Sequence, residues 1–179
     1  MTNAKVGALF SASAHSFSKE EQESLTLIAG EGVAGDAHRG KTVQHLSRIK
    51  RDPSQPNLRQ VHLIPSELLD DLNAKGFDVQ PGDLGENIST RGIDLLGLPR
   101  GALLHVGDAL LQVTGLRNPC RQIENFRPGL LQEVLGQENG KTVRKAGIMT
   151  IVLKGGVVKA GDDIHITLPQ EPQEPLEVV

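Results

Sequence analysis

Leu103–Gly115 reads LLHVGDALLQVTG. Two short apolar runs flank Gly107-Asp108, a pair suited to the backbone of a tight hairpin turn. The stretch therefore predicts two strands joined by that turn. The same signature recurs on both sides of it. Lys5–Ser13 (KVGALFSAS) and Leu25–Ala29 (LTLIA) are short apolar runs, and Gln60–Ile64 (QVHLI) alternates polar and apolar side chains. Further on come Ile148–Leu153 (IMTIVL), a turn at Lys154-Gly155-Gly156, Val157-Val158, a turn at Gly161-Asp162, and Ile164–Leu168. Together they predict a meander. Twenty glycines and ten prolines spread along the chain suit short strands joined by turns. Only two helices stand out. Pro65–Lys75 (PSELLDDLNAK) puts Leu68, Leu69 and Leu72 on one face and has Gly76 just past its end, and Pro128–Leu135 is shorter. A doubly wound sheet needs strands alternating with helices, and that alternation is missing. The expected architecture is mainly β: a β-barrel with a few short helices.

The chain has 179 residues, which fits one domain. That domain is expected over residues 1–168, followed by a disordered tail at 169–179, where Pro, Gln and Glu dominate. His45–Arg59 (HLSRIKRDPSQPNLR) is polar, basic and proline-containing, and reads as a long loop. With no Trp or Tyr and four Phe, the core must be aliphatic, and the stacking platforms of single-strand nucleic-acid binders are not available. A net charge of −3 provides no field toward phosphate backbones or anionic lipid. No apolar run approaches the roughly 20 residues that span a membrane. One cysteine cannot form an internal disulfide, which points to a reducing compartment or a thiol used chemically. A cytoplasmic protein binding neither nucleic acid nor membrane is expected.

That cysteine, Cys120, lies in TGLRNPCRQI, after Asn118-Pro119 and between Arg117 and Arg121. A thiol works as nucleophile, metal ligand or sulfur acceptor in its thiolate form, which nearby cations favour. Pro119 restricts Asn118 to extended conformations, so Cys120 is expected on a rigid turn after a strand. Packing as a small buried hydrophobe is the other reading. A second group is GEGVAGDAHRGKTVQH, Gly30–His45. Its glycines permit backbone N–H groups to face an anion, and His38, Lys41 and His45 add cationic or titratable groups. It matches neither nucleotide-loop pattern. Its other reading is a glycine-rich hairpin with solvated charges. A third is PGDLGENIST, Pro81–Thr90, where Glu86-Asn87 can address a ligand or staple a turn.

Taken together, EGVAGDAHRG, PGDLGENIST and TGLRNPCRQI resemble the MOSC family, named after the C-terminal domain of molybdenum-cofactor sulfurases. The long connection after Lys41 and the later VRKAGIM resemble a stand-alone bacterial branch. The resemblance implies a barrel-rich fold of the MOSC and pyruvate-kinase-barrel kind. It implies that Cys120 ligates molybdenum of a molybdopterin cofactor or carries persulfide sulfur, with Arg117 and Arg121 beside it. It implies that His38, Lys41, His45, Asn87, Asn118, Arg144 and Lys145 contact the cofactor. Two functions follow from the resemblance. One is a molybdenum-dependent oxidoreductase that reduces N-hydroxylated compounds with an external electron-donor protein. The other is a sulfur-carrier module loaded by a partner cysteine desulfurase, which would supply the only pyridoxal phosphate involved.

Overall fold

The computed structural model describes residues 3–179. In chain order the elements are β1 (Lys5–Ser11), β2 (Glu20–Gln22), β3 (Ser24–Ile28), β4 (Gly32–Val33), α1 (Leu46–Arg51), β5 (Val61–Pro65), α2 (Ser66–Ala74), β6 (Ile88–Arg91), β7 (Leu103–Val106), β8 (Ala109–Leu116), α3 (Arg121–Phe126), α4 (Leu130–Val134), β9 (Leu135–Glu138), β10 (Lys141–Arg144), β11 (Ile148–Lys154), β12 (Gly156–Lys159) and β13 (Ile164–Thr167). The fold is mainly β with four short helices.

The expected hairpin over Leu103–Gly115 is present. Val106 faces Ala109 across the Gly107-Asp108 turn, and Gly107 takes φ +55°. β8 alternates strictly, with Ala109, Leu111, Val113 and Gly115 buried and the residues between them half-buried. It is the third strand of an eight-stranded sheet of order β13-β7-β8-β11-β5-β6-β1-β2. All its pairings are antiparallel except β5 with β6. The sheet curls until its ends approach: Lys5 bridges Asp163, and the Val6 N–H donates to Asp162 O at 2.9 Å. One bridge is not a ladder, because β1 commits its edges to β2 and β6. The expected barrel is therefore an open, curled sheet. Inside the curl lies an aliphatic core of Val6, Leu9, Leu63, Ile88, Leu104, Leu111 and Ile148 with their neighbours. A second core, including Ile64, Leu69, Leu84, Ile123 and Leu130, packs α2, α3 and α4 against the outer face of β5.

Three sequence expectations change. The predicted C-terminal meander is not one: β11 pairs with β8 and β5, β12 with β3, and β13 with β7. These pairings are non-local, and no local turn signal reports them. The loop His45–Arg59 contains α1, and its base is tied by a Thr42–Pro56 bridge. The segment 169–179, expected to be disordered, runs along the sheet. Leu116 N–H donates to Glu177 O at 2.8 Å, Val179 N–H donates to Leu116 O at 3.1 Å, and Leu176 packs on the main core. β8 outruns β7 at this end, so its free edge supplies the partners. No helix among the described residues is long and apolar enough to cross a membrane.

Candidate functional site

A cavity of about 290 Å³ opens where β8 ends and α3 begins. Cys120 is the residue preceding α3, extended at φ −122° and half-buried. Its thiol donates to Gln122 Oε1 at 3.6 Å. Arg117 leaves β8 and runs beneath the cavity, 7% exposed. Its Nη1 donates to Leu84 O at 2.5 Å and its guanidinium lies 6.0 Å from the centre of the Phe17 ring. Burial lowers the Arg117 pKa, while the neighbouring Cys120 sulfur and the Glu86 carboxylate work to raise it. Charge at this position is thus expensive to bury and is offset from the cavity side by the sulfur.

The cavity wall is cationic. Lys19, Arg48, Arg59 and Arg117 line it, and no carboxylate does. Lys19 has an enclosed partner: its Nζ lies 2.9 Å from Asp36 Oδ2, with both side chains almost wholly buried. Asp36 also accepts from Ala12 N–H, His38 N–H and Asn87 Nδ2. Burial works against its charge, but the His38 contact, the Lys19 charge and these hydrogen bonds hold its carboxyl well below the usual carboxylate range. Burial lowers Lys19, with Asp36 opposing. Arg59 is brought down to about 10, by burial first and then by Arg48 and Arg117, with Cys120 opposing.

His62 projects from β5 on the face opposite the main core. It is 5% exposed, and its Nε2 lies 2.8 Å from Ala146 O. A carbonyl only accepts, so Nε2 carries the proton and Nδ1 keeps its lone pair. Burial, then Arg117, Lys19 and Arg59, push its pKa well below the ordinary histidine value, so the ring is neutral. His45 is lowered by burial and then by Arg59 and its other cationic and histidine neighbours.

The motif PGDLGENIST proves to be scaffolding for this site. Gly82 and Gly85 adopt φ +89° and +84°, and a Cβ on Gly85 would meet Phe17 O at 2.6 Å. Only glycine fits such an approach in that conformation. The approach lets Lys19 N–H donate to Gly82 O at 3.0 Å, which stations Lys19. Glu86 is the staple: its Oε1 accepts from Gly82 N–H at 2.6 Å, and burial raises its pKa. Asn87 lines the cavity, yet it gives Nδ2 to Phe10 O and Asp36 and accepts His62 N–H at Oδ1. Its capacity goes to the scaffold rather than to a ligand.

Of the residues expected at the site, Cys120, Arg117, Asn118, His38, His45 and Asn87 line one cavity. Four do not. Arg121 is exposed on α3 and is not part of the cavity lining. Lys41 is exposed at the base of the loop that carries α1. Arg144 ends the β9–β10 hairpin, whose strands pair with each other, and Lys145, the next residue, ion-pairs Glu138 at 3.0 Å. The middle of the glycine-rich loop also offers no nest of free amides. The N–H groups of residues 36 to 40 all donate within the protein. The residues that sequence reasoning missed are Lys19, Arg48, Arg59 and His62. Arg48 and Arg59 lay inside a segment marked only as a long basic loop. No group of three or more His, Cys, Asp or Glu is arranged to hold a metal among the described residues.

The sequence pattern described as the MOSC domain matches residues 42–165, more than half of the chain. No curated protein shows significant similarity. Among solved structures, the YuaD protein of Bacillus subtilis superposes with a TM-score of 0.73 at 26% identity, covering 94% of this chain and 98% of that one. YiiM from Escherichia coli shares the fold at TM-score 0.66 and 20% identity, covering 97% of this chain and 74% of that one. YiiM from Geobacillus stearothermophilus does so at 0.67 and 16%, covering 96% and 79%.

Proposed function

The chain belongs to the MOSC domain family, which is associated with molybdenum-cofactor binding or sulfur transfer, and from that premise we propose that it holds a molybdopterin cofactor with Cys120 as the protein's ligand to molybdenum and reduces N-hydroxylated compounds. The observation that carries the proposal is the pairing of one half-buried thiol with a cavity that has four cations and no carboxylate on its walls. Such a cavity favours an anionic ligand. The donor set fits this cofactor. A thiolate is a soft donor suited to molybdenum. No other His, Asp or Glu cluster joins it, which suits a metal that arrives already chelated by its own dithiolene.

When bound, the cofactor supplies the two-electron redox centre. The chain's residues bind, orient and screen. Cys120 offers the sulfur at the cavity mouth, and Arg117, fixed by Leu84 O, places positive charge beneath it. Lys19, locked to Asp36, lines the cavity as a second fixed cation. His62 presents Nδ1 as an acceptor for an N–H or O–H in a wall otherwise rich in donors. Reduction converts R–NH–OH to R–NH2 and water, consuming two electrons and two protons. The electrons come from an external donor protein, and the protons from solvent through the open mouth.

The half-buried state of Cys120 also supports the sulfur-carrier reading. There the thiolate attacks the outer sulfur of a donor persulfide R–S–SH. The donor S–S bond breaks, R–SH leaves, and Cys120 keeps the sulfur as its own persulfide. A turnover assay separates the two. Protein purified from molybdopterin-making cells is given an amidoxime or a hydroxylaminopurine with a chemical reductant. The proposal expects turnover in the wild type and in Arg121→Ala, and none in Cys120→Ser. Absent turnover, combined with about one sulfane sulfur gained per chain from a pyridoxal-phosphate desulfurase, favours the carrier. Full turnover in Cys120→Ser overturns both.

A further inference from the structure

Charge is divided unevenly between the loop that carries α1 and the rest of the chain. Residues 39–59 hold six of the nineteen Lys and Arg residues but one of the twenty-two Asp and Glu residues, a net +5 within a total of −3. The single carboxylate, Asp52, accepts from the N–H and the hydroxyl of Ser54. Arg39 is paired with Glu31 at 2.7 Å, and Arg48 and Arg59 line the cavity. Lys41, Lys50 and Arg51 remain exposed, outside the cavity lining and without an ion pair among the described residues. α1 buries none of its six residues. A helix this short gains little from its own hydrogen bonds, and this one contributes to neither core. On its outer side Leu46 is 57% exposed, and Lys50 follows one turn later with Arg51 beside it. The loop is nonetheless braced. Thr42 bridges Pro56, Val43 N–H donates to Gln55 O at 2.9 Å, Asn57 N–H donates to Lys41 O at 3.0 Å, and His15 Nε2 donates to Gln44 O at 2.9 Å.

We propose that the outer face of α1 is the docking surface for the electron-donor protein, and that this donor is acidic. Its role as electron donor rests on the proposed function above, whereas its acidity rests on the charge and exposure of the loop alone. An apolar side chain ringed by Lys and Arg has the make-up of a small protein interface, with a centre that can be desolvated and a charged rim. Redox partners meet through small, transient interfaces, and opposite charge speeds such encounters. The position suits the role. His45, Ser47 and Arg48 of the same segment line the cavity, so a protein seated on the outer face of α1 stands one helix diameter, about 10 Å, from it. Each turnover takes two electrons from the donor, which is oxidised, while R–NH–OH takes two protons from solvent and leaves as R–NH2 and water. Nucleic acid fits less well, because the loop has no aromatic side chain on which a base could stack. A membrane surface also fits less well, because a six-residue helix with one exposed leucine has no continuous apolar face.

The test uses the holoprotein with two small acidic probes, a reduced ferredoxin and a reduced flavodoxin, beside a chemical reductant. Binding of each probe is followed by titration, and amidoxime turnover by the product formed. The wild type should bind at least one probe and turn over with it, and its affinity should fall about tenfold as salt rises from about 50 to about 300 mM. Lys50→Glu combined with Arg51→Glu should raise the KM for that probe about tenfold or more. Turnover of this variant with the chemical reductant should equal that of the wild type, which also shows that the variant is folded. Leu46→Ala should weaken probe binding about threefold to tenfold and leave its salt dependence unchanged. If the wild type lacks turnover even with the chemical reductant, the proposed function falls, and probe binding alone judges the surface. Salt-sensitive binding that the charge reversal removes then still supports an acidic partner. Probe binding that the charge reversal leaves unchanged overturns the proposal. So does the absence of binding to either probe at low salt, and binding of a single-stranded oligonucleotide or of phosphatidylglycerol vesicles would then reassign the surface.

Discussion

Lys19 and Asp36 show how a single pair sets the cavity's charge. With both side chains almost wholly buried, removal of one partner strands the other. Lys19→Met is expected to cost about 3–5 kcal/mol in urea unfolding, and Lys19→Met with Asp36→Leu less than the sum of the single changes. His62 yields a pH prediction. Between its lowered folded pKa and the ordinary 6.5, the folded ring holds fewer protons than the unfolded one. Stability therefore rises with pH across that window and falls as pH drops below 6.5, by up to about 1.4 kcal/mol per pH unit. Thermal melts at pH 7.5 and 5.5 should show the fall, and His62→Leu should lessen it, leaving the part due to His45. A variant with an unchanged slope would contradict the neutral-ring assignment. At this scale Cys120 and Arg117 were legible because a lone thiol beside arginines is a chemical signal. Lys19 was not: within SFSKEE it reads as one solvated charge among several, and its burial depends on the distant Gly82 backbone and Asp36.

Elements show where local signals suffice. The hairpin Leu103–Gly115 and the helix begun at Pro65 followed from turn and capping chemistry, which acts over a few residues. The destinations of β12 and β13 did not, because β3 and β7 lie far away in sequence. The GDLGEN turn depends on backbone shape: Gly85→Ala is expected to cost about 1–3 kcal/mol, from left-handed strain and from the contact with Phe17 O. Chemical denaturation measures it, and a neutral substitution would show that the turn relaxes freely. The C-terminal strap is a second case. Its composition reads as disordered, yet the free edge of β8 gives it a partner. Removing 169–179 should lower stability by about 2 kcal/mol, mostly from uncovering Leu176 and its contacts. Equal stability of the truncated chain would mean that the strap only rests on the sheet.

For the molecule as a whole, the mainly β class and the aliphatic core were readable from composition, whereas closure was not. Whether a curled sheet joins its ends depends on how β1 divides its edges, and here the join is one bridge, Lys5 to Asp163, just before β13. The net charge of −3 also hid the local field, since Lys19, the Arg48–Arg59 loop and Arg117 converge from three separate parts of the chain. That convergence beside a single sulfur is the centre of this account. Elemental analysis of protein purified from cells able to make molybdopterin tests it most directly. The wild type should hold about one molybdenum per chain, and a folded Cys120→Ser variant a small fraction of that. Equal molybdenum in the two proteins would contradict it.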